Sequence, residues 1–376
     1  MILQFENKRS VEEILQNDTN IKLPLYNSKS NKLFYGDNVE ILKALLYQYN
    51  LKGKIDLIYI DPPFATNNIF KIGNGRTNTI SMKHNGNVAY EDIIVGDEFL
   101  EFIRERLILA KELLSDRGSI YLHIDYKIGH YIKILMDEIF GADNFKNDIT
   151  RIKCNPKNFK RKAYGNIKDL ILFYTKSKNN IWNECYTEYS EKDIFKLYKK
   201  IKDGRFYTTV PLHAPGETKN GATAMSFKGV KAPAGRHWRC SPAGLEELDR
   251  QGLIEWSKNG IPRRIIYADE KLGKKVQDIW DFKDPQYPQY PTEKNLDLLK
   301  RIIKTSSNDD SIVMDFFCGS GTTLLAAEQL SRRWIGIDKS FKAIEIALDK
   351  LNCNKNMYSI EMEVIDCNNS SLEDIV

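Results

Sequence analysis

The stretch SIVMDFFCGSGTTLLAAEQLSRRWIGID, residues 311–338, decides the fold of this chain. SIVMDF is an apolar run carrying an acid near its end, and glycines at 319 and 321 follow it. TTLLAAEQL then places apolar residues at helical spacing, and RWIGID is a second apolar run ending in an acid. Strand, glycine turn, helix and strand make the repeating unit of an open, mostly parallel α/β sheet covered on both faces. Ligands of such sheets bind beyond the carboxyl ends of the strands, where Gly319 and Gly321 fall.

The chemistry of that corner narrows the ligand. Small residues let backbone amides approach it, and the next helix presents its positive amino end. Asp315 closes one strand and Asp338 the next, a spacing suited to a carboxylate that accepts hydrogen bonds from a ribose. GSGTT lacks the third glycine of the dinucleotide fingerprint, and an acid at the start of the loop repels a pyrophosphate. A nucleoside with a cationic end fits better, and S-adenosyl-L-methionine has both parts.

Upstream, DLIYIDPPF (residues 56–64) is another apolar run into an acid. Pro62 and Pro63 fix their own φ, restrict their neighbours and carry no N–H. The predicted result is a rigid ledge bearing the Asp61 carboxylate, a free carbonyl and the Phe64 ring. Such a ledge accepts hydrogen bonds from an exocyclic amino group while the ring stacks on the flat base attached to it.

The order of these stretches, DPPF before DFFCGSGTT with a variable block between them, resembles the DNA amino-methyltransferases that act on adenine N6 or cytosine N4. It is most similar to their circularly shifted β class and to the adenine-specific members. The resemblance runs from about residue 32 to 350. It implies a Rossmann-like S-adenosylmethionine-dependent methyltransferase fold with an inserted target-recognition domain. It makes Asp61, Pro62, Pro63 and Phe64 the catalytic tetrad. Phe317, Gly319 and Gly321, with Asp315, Phe316 and Ser320, become the cofactor loop, and Asp338 its ribose ligand. GDNVEILKAL places Asp37 and Asn38 near the cofactor adenine; YPTEKNLDLLKRII places Thr292 and Lys294 near its methionine end. Many relatives have Pro at the position of Asn295, and Asn also suits a helix start. Ala65 replaces a residue that often carries an amide.

The rest of the chain sets the organisation. Residues 1–30 read as a polar extension with a short helix near Val11–Leu15. Residues 31–178 alternate strands and helices, with strands expected at 148–153 and 169–174, a turn at Gly118 and a long loop at 65–97. Residues 179–288 are irregular, basic and aromatic, with two helical pieces, and the resemblance makes this block the target-recognition domain. Residues 289–352 carry the cofactor motif, and 353–376 form a weakly patterned tail.

A net charge of +5 suits a polyanion partner, here double-stranded DNA. Lys83, His84, Lys157, Lys160, Arg161, Lys162, Arg236, Arg263 and Arg264 are the candidate DNA contacts. Six scattered cysteines without a CxxC pair predict neither a zinc site nor a disulfide framework. His123, Asp125 and His130 in HIDYKIGH read as a polar strand end rather than a metal site. No apolar run approaches a membrane span, and the N-terminus lacks a signal-peptide pattern, so the expected setting is cytoplasmic. The resemblance further implies a restriction-modification setting, a cognate endonuclease and a homodimer. Cytosine-N4 methylation, a non-catalytic DNA-binding protein, RNA methylation and a nucleotide-dependent dehydrogenase are the alternatives. Asp at the first position of DPPF accompanies adenine in the family, and a dehydrogenase needs an acid–base group and a fuller glycine fingerprint.

Overall fold

In the computed structural model, residues 2–62, 68–72, 87–92, 96–156, 160, 162–218, 220–286, 288, 293–355 and 361–368 are described, with 68–72 and 87–92 described by their backbone alone. The chain forms two compact units, Met1–Cys185 with Gln277–Val376, and Tyr186–Val276. No helix among the described residues is long and apolar enough to cross a membrane.

The first unit is built on a nine-stranded sheet. Its strands in chain order are β1 (Asn31–Tyr35), β2 (Ile55–Ile60), β3 (Leu114–Ile124), β4 (Phe145–Ile152), β5 (Lys168–Thr175), β6 (Ile279–Asp281), β7 (Ile312–Asp315), β8 (Arg333–Asp338) and β9 (Met362–Asp366). They lie side by side as β6-β4-β5-β3-β2-β7-β8-β1-β9. Only β5 runs against its neighbours β3 and β4; the other pairings are parallel. Every residue of β2 is buried, as expected of a central strand covered on both faces. Besides the single-turn helix Val11–Ile14, where the sequence predicts one, the helices are α1 (Asn38–Tyr47), α2 (Gly96–Leu113), α3 (Gly129–Phe140), α4 (Leu296–Ser306), α5 (Thr322–Gln329) and α6 (Phe341–Cys353). In α4 the buried Leu298, Leu299, Ile302 and Ile303 recur at helical spacing and form its inner face. Asn295 caps this helix, its Oδ1 accepting from the N–H groups of Asp297 and Leu298 at 2.9 and 3.3 Å.

The two acids of β2 do different work. Asp56, at the start of the strand, is buried and accepts from Ser115 (2.5 Å), Arg117 (3.0 Å) and Ser311 (2.9 Å). It therefore pins β2 to the amino ends of β3 and β7. Asp61 lies at the opposite, carboxyl end.

Four expectations need correction. Residues 179–185 and Ile279–Asp281 belong to the first unit rather than to the inserted block. Asn183 donates its N–H to the Thr305 carbonyl (2.8 Å), β6 pairs with β4, and the Arg301 guanidinium lies over the rings of Trp280 and Phe282. The C-terminal tail is not patternless, because β9 adds to the sheet beside β1. Its five residues are too short for periodicity to reveal. The segment 65–97 holds an antiparallel backbone pair, Asn68–Ile72 with Asn87–Asp92, not only loop. Gly118 sits inside β3, not in a turn before it. The register with β2 slips there, and a Cβ on Gly118 would stand 2.9 Å from the Ile55 carbonyl oxygen.

The second unit has a four-stranded antiparallel sheet, ordered Ile254–Trp256, Pro262–Tyr267, Arg205–Pro211, Lys200–Lys202. Helices Glu191–Leu197 and Pro242–Arg250 match the two helical pieces read in the sequence. Its small cores centre on Trp238 with Leu212, Phe227 and Leu245, and on Tyr207 with Ile265 and Tyr267. Trp238 is fully buried, so this aromatic serves packing.

Candidate functional site

Asp61 and Asp315 stand 254 residues apart in sequence but on neighbouring strands. β2 and β7 pair in parallel through Leu57 with Val313 and Ile58 with Met314. β8 follows β7, and β1 follows β8, with Tyr35 opposite Asp338. Asp61, Asp315, Asp338 and Asp37 thus project from the carboxyl ends of four successive strands, the edge where open α/β sheets bind ligands.

The glycine loop is held by the acids that flank it. Asp315 accepts from the Phe317 N–H (3.0 Å) and the Thr323 hydroxyl (2.6 Å). Asp338 accepts from the N–H groups of Gly319 (2.8 Å) and Ser340 (2.9 Å). Gly319 and Gly321 have φ of 50° and 73°, the left-handed region that favours glycine. A Cβ on Gly321 would also stand 2.8 Å from the Ala347 Cβ. Burial pushes the Asp315 carboxyl up to about 7, against the bonds from Thr323 and the Phe317 N–H. Burial raises Asp338 as well, opposed by the Ser340 and Gly319 N–H groups. Two desolvated carboxyls side by side suit a ligand with a positive charge and hydroxyl donors.

The loop's other wall comes from α1 and α2. Asp37 caps α1 by accepting from the Val39 N–H (2.9 Å), and its side chain is about half exposed. Asn38 donates to the Phe316 carbonyl (2.8 Å) and accepts from Arg106 Nε (2.7 Å). Arg106 lies 3.5 Å from the centre of the Phe102 ring, which in turn packs on Phe317. Burial lowers the Arg106 guanidinium to about 10. The Phe316 side chain is fully buried in the core, so only its backbone can serve the loop.

At the ledge, Lys294 Nζ donates to Asp61 Oδ2 in a largely buried ion pair. Asp61 Oδ1 is buried and has no hydrogen-bond partner among the described residues. Pro62 is buried beside it. Pro63, Phe64 and Thr292 lie outside the described residues, as do Lys83, His84, Lys157 and Arg161. Ser320 has a partner the sequence reading missed. Lys350 on α6 donates to Ser320 Oγ (3.0 Å), Thr322 Oγ1 (3.1 Å) and Glu293 Oε1 (2.6 Å). The signal was present: Lys350 falls on the buried stripe of Ala343, Ala347 and Leu351, where a charge needs a reason.

Behind the ledge sits a buried polar cluster. His123 is fully buried, with Tyr59 Oη 2.9 Å from Nδ1 and Asp169 Oδ2 3.3 Å from Nε2. Lys153 donates to Asp169 at 2.6 Å. Arg151 Nη1 lies 3.5 Å from Asp169 Oδ2, near enough for attraction but without hydrogen-bond geometry. Burial alone would raise Asp169; His123 and Lys153 overcome it and hold the carboxyl well below its ordinary range. Burial also lowers the His123 imidazole. Both ring nitrogens of His123 face partners, and no group of three metal-ligating side chains occurs among the described residues.

Of the candidate DNA contacts, Lys160, Lys162, Arg236 and Arg264 are exposed. Arg263 is committed to its own sheet, donating to Thr209 Oγ1 (2.9 Å) and the Thr209 carbonyl (2.8 Å). Arg236 stands 3.1 Å from His213 Nδ1. Burial, then the charges of Arg236, Arg263 and Arg239, hold the His213 imidazole below its ordinary range. This basic group in the second unit includes Arg239, which the sequence reading passed over.

Comparison with known proteins matches residues 55–349 to a family described as DNA methylase, covering β2 with its acid, the glycine loop and Asp338. The chain belongs to the N6/N4 DNA methylase family. Among curated relatives of this DNA methylase, Type II methyltransferase M.EcaI of Enterobacter cloacae is 40% identical over 85% of this chain and 69% of its own. The Type III restriction-modification enzyme StyLTI Mod subunit of Salmonella typhimurium is 29% identical over 81% of this chain and 51% of its own. The DNA methylase chain therefore spans about half the length of that Mod subunit. A solved M1.HpyAVI–SAM complex is similar at 20% identity and a TM-score of 0.44, over 85% of this chain and 98% of that one. Asp37 and Asn38 precede the segment that matches the DNA methylase family.

Proposed function

We propose that the chain is a site-specific DNA adenine-N6 methyltransferase that uses S-adenosyl-L-methionine. The observation that carries this reading is the meeting of the Asp61 ledge with the acid-flanked glycine loop at one sheet edge. The donor set suits the cofactor. Asp338 would accept from the ribose, Asp315 is a desolvated carboxyl suited to the positive end, and Asn38 and Phe317 would border the adenine side. When bound, the cofactor supplies an electrophilic methyl group.

The chain's own residues then handle the base. The target adenine is extruded from the duplex and stacks on Phe64. Asp61 Oδ1 and the Pro62 carbonyl accept the two amino hydrogens, which orients the N6 lone pair. Both acceptors stabilise the positive charge that develops on N6 as it attacks. The amino nitrogen is itself the nucleophile: as its bond to the methyl forms, the methyl's bond to the cofactor sulfur would break, S-adenosylhomocysteine would leave and N6 would shed one of its two hydrogens through the acceptors that hold them, so no covalent enzyme intermediate forms. Incubation with methyl-labelled cofactor and mixed-sequence duplex DNA, followed by nucleoside analysis, tests the reading. N6-methyladenine is expected, N4-methylcytosine replaces adenine as the target, and unlabelled DNA removes the activity.

The acidity of Asp315 gives a second test. A cationic ligand favours its charged form, so binding below pH 7 must expel a proton. Affinity for S-adenosylmethionine should fall as the pH drops from 8 to 6, approaching about tenfold per unit at the acid end. Calorimetric titration in buffers of different ionisation enthalpy reads both affinity and proton release. A flat profile takes Asp315 away from the positive end.

The second unit, Tyr186–Val276, is assigned to reading the DNA sequence, supported by the basic group at Arg236, Arg239 and Arg263. Replacing it with the corresponding block of a relative should change the methylated sequence and leave the base type unaltered. Sequencing of methylated genomic DNA reports this, and an unchanged site defeats the assignment. The names of the relatives support a restriction-modification setting with a cognate endonuclease, and the family resemblance supports a homodimer.

A further inference from the structure

The segment before α4 carries two adjacent, oppositely charged, largely buried side chains that reach different parts of the site. Glu293 pairs with Lys350, whose ammonium also binds Ser320 and Thr322 of the glycine loop. Lys294 pairs with Asp61 on the ledge. Neighbouring side chains of a non-helical segment diverge, so one short stretch ties the glycine loop to the catalytic corner. Buried ion pairs of this kind lose much if one member is removed, which makes the link stiff.

We propose that Lys294 is a positioning residue for methyl transfer, fixing Asp61 through Oδ2 so that Oδ1 alone receives the amino group, with the Glu293–Lys350 pair setting Lys294 relative to the glycine loop. The inference rests on the proposed function. It differs from the role that the family resemblance implies, a contact with the methionine end of the cofactor. The unpartnered, buried Oδ1 is the second observation behind it. An acceptor kept dry and unused among the described residues is costly unless a donor arrives to fill it. With one oxygen held, the carboxylate cannot rotate to offer the other, and the acceptor keeps its place between turnovers.

The test compares wild type, Lys294→Met, Lys294→Arg and Glu293→Gln. Single-turnover transfer is measured at saturating duplex DNA and S-adenosylmethionine, and S-adenosylhomocysteine affinity by calorimetry. Lys294→Met should lower the saturated rate by about 10²-fold, as small misplacements of reacting groups do. Its affinity for S-adenosylhomocysteine, which carries the same amino-acid carboxylate, should stay within about threefold, a rate-against-affinity split expected of differential binding. Lys294→Arg should recover part of the rate. A saturated rate in Lys294→Met within about threefold of wild type overturns the role, whatever the affinity does. Should Lys294→Met fail to fold, Glu293→Gln decides. It keeps Lys294 and Asp61, and a loss of saturated rate supports the tether while a wild-type rate overturns it. Wild-type transfer to DNA with an unaffected Lys294→Met defeats the positioning role alone; absence of wild-type transfer defeats both.

Discussion

Asp61→Ala should lower single-turnover methyl transfer by about 10²–10³-fold while leaving cofactor affinity nearly unchanged. The geometry separates the two effects. Asp61 closes β2, whereas the glycine loop is held by Asp315 and Asp338 at the ends of β7 and β8. Removing Asp61 takes away the acceptor proposed to receive the amino group and leaves every hydrogen bond of the loop in place. It also strips Lys294 of its partner, and the uncompensated ammonium should cost stability. Asp61→Asn keeps the shape and one carbonyl acceptor, so it should fold better and still transfer slowly. The decisive measurement is rapid-quench transfer at saturating DNA and cofactor, alongside DNA affinity. A near-wild-type quench rate in Asp61→Ala would remove the carboxylate from the transfer step. A loss confined to DNA affinity would assign it to holding the base.

Asp169→Ala should be the most destabilising substitution in the first unit's polar interior, by about 3–5 kcal/mol. Asp169 is buried on β5 and faces Arg151 of β4, Lys153 just beyond that strand and His123 of β3. Without it Lys153 loses its carboxylate partner, Arg151 is left with Asp284 alone, and His123 loses a partner for Nε2. The folded-state carboxyl is held below its ordinary 3.8, so its contribution is fully present above that value and fades as the pH falls through it. The difference between wild type and Asp169→Ala should therefore shrink as the pH is lowered from 6 to 3. Urea denaturation at several pH values reads this, and a gap that widens toward acid would contradict the sign. Asp169→Asn keeps one hydrogen-bond acceptor and should fall between the two.

Composition and motif spacing were enough to determine the fold class, because an apolar run ending in an acid and a glycine turn has few structural solutions. A central strand buried on both faces must read as continuous apolar residues, and β2 and β7 do. Local chemistry made the glycine turn, the Asn295 cap and the helix of Leu296–Ser306 legible as well, while the left-handed φ of Gly319 and Gly321 came with the structure. Short-range pattern could not place β9, whose five residues join the sheet only because β1 offers an open edge. Nor could it place β6, which composition put in the inserted block and pairing with β4 put in the main sheet.

The site divides in the same way. Asp61, Asp315, Asp338 and the glycines stand in motifs, since each must occupy a fixed point relative to its own strand end. The Lys294–Asp61 pair, the Lys350 link to Ser320 and Thr322, and the His123–Asp169 cluster join residues from 28 to 233 positions apart. Their partners are set by which strands lie side by side. Charge pairing in a buried interior is decided by a few ångströms of separation and by the exclusion of water, and only tertiary packing fixes those.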